Sequence, residues 1–410
     1  MFHPILSSYR FQFIVALLKD IHESVKSYFF GVAYLRVLFL CDLVNCRCVS
    51  VQSFFILLKV FVATHTELDN FQLRSDWYTY VVLNCLPRVG KEIAEKAEAD
   101  LDALLESIEK YLSIRKTTYM PLLKVWTNDE PHVQEEYLEC LWAQVKNLQE
   151  NKWQTDCVVK HHVAFDAVLC NALQHDLPSF TPPPAQVTDL PFYPLPRATF
   201  RMFDMSDCID EGPPLPAPHC IDRHLIEQDL TWLIEKYLNN RKECAAALLN
   251  HSKKDSVPLH YVILEVIFGQ MFRLPRSPFI ELFYGSLMIE LCKLQPNSMP
   301  QVLAQAAEML YQRLDSMQVQ CIDRFIDWFS YHLSNFQFRW SWEDWADCLT
   351  MNPLAPKQLF VQEVLQKCMR FSFHQRVLDF MPSSFAPLVP TKPTPNFKYT
   401  QEGSREFLLV

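Results

Sequence analysis

Glycine is scarce in this chain, at 6 of 410 residues against 27 prolines. Nucleotide-binding α/β folds and all-β domains spend glycine on phosphate loops, tight turns and bulges, so the shortage argues against both. Helix stacks turn their corners with Pro, Asn and Asp, and with half of the residues apolar an all-α protein is expected. A C-x-x-C pair is also missing: 14 cysteines are spread from Cys41 to Cys368, and the nearest two are Cys46 and Cys48. Such spacing predicts reduced, mostly buried thiols, not zinc ligands or a disulfide framework.

Positive charge is in deficit. A formal charge of −9 gives no long-range attraction for phosphate, which argues against a general nucleic-acid clamp formed by this chain alone and leaves open a local basic patch or a basic partner. Long uncharged apolar runs are missing too. Arg36, Asp42, Arg47 and Lys59 interrupt the greasy stretches near the N-terminus before the roughly 18–20 residues that a span requires, so buried helices and no membrane association are expected there. Arg10, Lys19 and Asp20 likewise break any signal-peptide core.

Catalytic grammar is equally thin. Gly90–Lys91 lacks the upstream glycine of a phosphate loop and has Glu92 where the Mg²⁺-binding Ser or Thr belongs, so the pair is taken as a helix boundary. No G-x-S-x-G and no H-E-x-x-H occurs. His161 and His162, close to Cys157 and Asp166, are zinc-ligand types, but adjacent helical residues point about 100° apart and do not chelate from one face. The acidic pairs Glu135–Glu136 and Asp100–Asp102 are expected on solvated helix faces. The chain is therefore expected to be no enzyme, with no cofactor and no metal.

What is present is helical periodicity. In "CIDRFIDWFSYHLSNF", Ile322, Phe325, Ile326, Phe329, Leu333 and Phe336 form one stripe on a 3.6-residue helix. "PFIELFYGSLMIELCKLQ" repeats the pattern between Pro278 and Pro296, and "SMPQVLAQAAEMLYQRL" opens with Ser298 as expected N-cap and Pro300 in its first turn. Seven to nine helices are expected between Asp222 and Phe380. Their short connections imply antiparallel hairpins in a HEAT/armadillo-like stack. The expected organisation is a first helical-repeat domain at 1–177, a Pro-rich connection at 178–220, a second helical-repeat domain at 221–381 and a Pro-rich tail at 382–410. The connection holds eleven of the prolines, with Phe180, Phe192, Tyr193, Phe200, Met202 and Phe203 among them. It is too apolar for a free linker and is expected to lie across both helical units.

The candidate site is "NFQFRWSWEDW", Asn335 to Trp345. Two aromatic planes and a carboxylate are what a methylated guanine requires. Ser341 followed by Asp344 has the capping-box shape, which predicts a short helix after a bend at "FQFRW". Trp342 and Trp345 then share a face, one turn apart. That spacing favours packing on the preceding helix over a base sandwich, with a partner-contacting edge at Arg339, Trp340 and Glu343.

The stretch from "LHYVILEVIFGQMF" through "NFQFRWSWEDWADCL", with "EEYLECLWAQ", "FTPPP" and "RATFRMFD", resembles the large-subunit family of the nuclear cap-binding complex over residues 13 to 400 or so. That resemblance implies helical-repeat domains of the initiation-factor-4G middle-domain type, three in the full subunit. It implies a scaffold without catalytic residues. In the family a small RNA-recognition-motif subunit holds the 7-methylguanosine cap, so capped RNA is met indirectly. The large subunit orders that partner and recruits factors for splicing, RNA export, small-RNA processing with RNA-mediated gene silencing, and nonsense-mediated decay, in the nucleus and also the cytoplasm. Against the family pattern, the opening helices of the first domain, its basic localisation segment and the third domain are expected to be missing. Two other readings stay open: direct cap binding by the tryptophans, and a middle-domain regulator of an RNA helicase.

Overall fold

The structure, a computed structural model, describes residues 3–67, 71–170, 172–184, 193–208 and 212–394. Phe192 and the last part of the expected tail lie outside them. Among the described residues there are helices and no strand. In chain order they are α1 (His3–Lys26), α2 (Phe30–Asn45), α3 (Val51–Ala63), α4 (Gln72–Ile114), α5 (Met120–Leu123), α6 (Tyr137–Glu150) and α7 (Asp166–Leu169), then α8 (Ile221–Lys236), α9 (Arg241–Leu249), α10 (Leu259–Met271), α11 (Glu281–Leu294), α12 (Met299–Gln312), α13 (Val319–Asn335), α14 (Pro356–Phe371) and α15 (His374–Phe380). Eight of these fall in the stretch where seven to nine were expected. No described helix is long and apolar enough to cross a membrane.

Two hydrophobic cores result. One gathers α1 to α4 and α6, around residues such as Phe54, Tyr78, Leu86 and Leu141. The other gathers α8 to α15, around Leu264, Leu287, Leu310, Phe329 and Val364. Membership does not follow chain order. Val125 and Trp126, upstream of α6, belong to the second core, while Ile221 and Leu225 of α8 belong to the first. Backbone bonds fix the crossing: Thr127 N–H donates to Ser316 O at 2.8 Å and Gln318 N–H to Val125 O at 2.8 Å. The Pro-rich connection works as a strap across both cores. Phe180 and Tyr193 pack on the first, and Phe200, Met202 and Phe203 are buried in the second.

Three local expectations are corrected. Gly90 is no boundary but lies inside α4, where an added Cβ would meet the Trp153 ring at 2.4 Å. Lys152 and Trp153 both adopt positive φ after α6, which swings that indole into the notch. Glu136 is not solvated: it caps α6, accepting from Leu138 N–H at 3.0 Å and Glu139 N–H at 3.2 Å, and is buried against Arg115. Glu135 is half-buried and pairs with His219 at 2.8 Å, whereas Asp100 and Asp102 are exposed as expected. Ser298 occupies the N-cap position of α12 without a side-chain cap bond, because its backbone is not extended there (φ −122°, ψ −47°).

Candidate functional site

The aromatic stretch begins where α13 ends. Gln337 and Phe338 both take positive φ, 60° and 61°, and turn the chain back on itself. A 3₁₀ helix, Trp342–Thr350, follows. The predicted capping box is not made. Ser341 contributes only its carbonyl, accepting from Asp344 N–H at 3.1 Å, because a tight 3₁₀ turn bonds i to i+3 through the backbone and leaves the hydroxyl unused.

The rings of this stretch are packing groups. Trp345 is fully buried and stacks on Tyr311 with centroids 4.2 Å apart and planes 4° from parallel. Its Nε1–H donates to Glu308 Oε2 at 2.5 Å. Trp342, 2% exposed, stands at 90° to Trp345 and lies against Phe380 and Phe385. Phe338 stacks on Phe380 at 5.1 Å. A sandwiched base needs two parallel rings roughly 7 Å apart with nothing between them. Trp345 already touches its parallel partner, and the pair Trp342–Trp345 is perpendicular, so these two leave no slot for a base.

The three edge residues do not converge. Arg339 and Trp340 line a groove of about 510 Å³ with Pro300, Leu303 and Ala304 of α12 and His332 of α13. Arg339 is exposed, and Trp340 is half-buried, edge-on to Phe329 at 4.9 Å. Glu343 is exposed on the 3₁₀ helix and is not part of that groove. The groove carries buried nitrogen atoms without a hydrogen-bond partner: Trp328 Nε1, Trp340 Nε1 and His332 Nδ1. Burial holds the His332 imidazole down at about 4, so the ring is neutral at physiological pH. The nitrogens are inaccessible, so the arrangement presents apolar walls and one exposed guanidinium, which suits an apolar segment bearing a carbonyl or carboxylate oxygen. His332 and the α12 wall were missed in the sequence. The only signal was the i, i+4 spacing of Trp328 and His332, which is common on any buried helix face.

The side chain of His161 lies outside the described residues, and among those described His162, Cys157 and Asp166 form no zinc grouping. Asp166 binds Arg47 at 2.8 Å, and Cys157 N–H faces Asp222. One grouping that the sequence did not suggest is Glu135, Cys140 and His219, with donor atoms within 4.8 Å of one another. The Glu135–His219 hydrogen bond accounts for two of them, and burial pushes the Cys140 thiol up to about 12, so it stays protonated. All cysteines among the described residues are free.

Comparison with known proteins gives two matches to family models. Residues 35–149 match the MIF4G domain, and residues 219–383 match the MIF4G-like model. The chain carries a MIF4G domain and a MIF4G-like domain. It is 50% identical to nuclear cap-binding protein subunit 1 of Homo sapiens over 393 residues, 96% of this chain and 49% of that protein. The same comparison gives 51% for Rattus norvegicus and 50% for Xenopus tropicalis, with equal coverage. This chain thus spans about half the length of the curated relatives it matches. Its helical-repeat fold is that of the MIF4G domain, and the groove at Arg339 and Trp340 lies within the MIF4G-like match.

Proposed function

We propose that this chain is a non-enzymatic scaffold subunit of a nuclear RNA cap-binding complex. In this reading it acts through protein contacts, supporting a small RNA-recognition-motif subunit that holds the 7-methylguanosine cap and recruiting factors for splicing, export, gene silencing and nonsense-mediated decay. Its domains would be the helical units 1–177 and 221–381, joined by the strap 178–220. The carrying observation is 50% identity sustained over nearly the whole chain to a subunit named for that complex. Two physical features agree with a supporting role: the charge of −9, and the use of Trp342 and Trp345 in core packing. The groove beside Arg339 and Trp340 is the contact surface we assign to a partner segment with acceptor oxygens, with Glu343 at its periphery.

The test is retention on a cap-analogue resin. The purified chain alone is expected to pass through and to be retained when the small subunit is added. Retention of the chain alone, abolished by Trp340→Ala, would replace this reading with direct cap binding.

A further inference from the structure

A separate cavity of about 460 Å³ lies where the two cores meet, walled by α2, α4, α6, the strap, α8 and α10. Its volume is that of a small-ligand pocket, roughly 300–1,000 Å³. Charge around it is unevenly matched. Arg201 pairs with Glu227 at 2.9 Å and reaches Glu265 at 3.6 Å, while Arg223 binds the same two carboxylates at 2.5 and 2.6 Å. Both glutamates are thereby ion-paired, although Glu265 Oε1 is left without a hydrogen bond.

Arg197 and Arg273 remain, both half-buried in the lining, and neither forms an ion pair with a carboxylate among the described residues. Glu235, exposed at the rim, lies beyond ion-pair distance of either. Arg197 rests instead on ring faces, 5.2 Å from the Tyr137 centroid and 6.0 Å from that of Tyr80. Burial and then the Arg197 charge hold Arg273 down at about 10, and the Glu235 carboxylate at the rim is within electrostatic reach of both arginines without bonding either. Arg201 adds a buried Nε with no hydrogen-bond partner. Beside these donors stand the aromatic side chains Tyr34, Tyr80 and Trp232.

We propose that this inter-core cavity binds a phosphate monoester with an aromatic body, of mononucleotide size, its phosphate held between Arg197 and Arg273 and its ring against the Trp232 side. Two guanidinium forks match a dianion better than a monocarboxylate, and their planar donors suit phosphate oxygens. The lining as a whole carries three arginines and three glutamates, so the anion site proposed is confined to the edge formed by Arg197 and Arg273.

Adenosine 5′-monophosphate, adenosine and inorganic phosphate are titrated into the full chain by calorimetry. The monophosphate is expected to bind at least tenfold tighter than either fragment, and Arg197→Gln and Arg273→Gln each to weaken it at least tenfold. Neither arginine has a carboxylate partner to orphan, so both variants should keep the native circular dichroism. Absence of monophosphate binding, binding equal to that of inorganic phosphate, or unchanged affinity in both folded variants would each overturn the proposal. The comparison of monophosphate with its fragments uses the unaltered chain and decides the matter even where a variant does not fold.

Discussion

Arg115 shows how much a single residue can organise. Its guanidinium forks onto Asp76 at 2.6 and 2.8 Å and onto Glu136 at 3.0 and 3.2 Å, with all three side chains essentially inaccessible. Tyr111 Oη–H donates to the same Asp76 at 2.7 Å. Removing one partner of such a group leaves buried carboxylates without a counter-charge. Arg115→Met is therefore expected to lower stability by about 3–5 kcal/mol in urea unfolding, and a loss below about 1 kcal/mol would show the triad to be solvated. None of this was legible in sequence. Asp76, Arg115 and Glu136 are spread over 60 residues, and an acidic pair at a helix start looks identical whether it faces water or an arginine. Gly90 misled for a related reason: a glycine inside a helix marks either an end or a close approach, and only the placement of Trp153 distinguishes them.

At the scale of elements, the stripe of α13 was legible because a 3.6-residue period survives without tertiary information. The structure buries Phe325, Ile326, Phe329 and Leu333 as that period requires. The element after it was legible as a short helix and not as a 3₁₀ helix, since the two differ by one residue in hydrogen-bond register. The ring contacts separate core from edge. Trp345→Ala is expected to cost about 3–5 kcal/mol, since it empties the space between Tyr311, Phe329 and Phe360. Trp340→Ala, at the half-exposed groove, is expected to cost clearly less and to act on partner binding instead. Chemical-denaturation midpoints of the two variants, measured side by side, check the order, and equal losses would make Trp340 a core residue.

For the whole molecule, pH reports on burial. His65, His224 and His332 are each held down at about 4 by burial, against roughly 6.5 in an unfolded chain. Between those values the unfolded state binds protons that the folded state refuses, so stability falls as pH drops through about 6.5 towards 4 and is fully present well above 6.5. Urea midpoints are expected to fall in steps from pH 7.5 to 6.5, where each imidazole is about half protonated in the unfolded chain, and further to 5.5, and His332→Gln is expected to shrink the drop. A midpoint that rises on acidification would contradict these burials. The all-helical class, the amphipathic stripes, the expectation of a strap that spans both units and the family resemblance all came from the sequence itself, because composition, periodicity and long-range similarity are properties of the linear chain. Only the tertiary structure decided which polar groups are buried together, which core Trp126 and Ile221 enter, and which of three candidate edge residues line a groove. Those outcomes depend on contacts between residues tens to hundreds of positions apart, and no local pattern encodes where such partners meet.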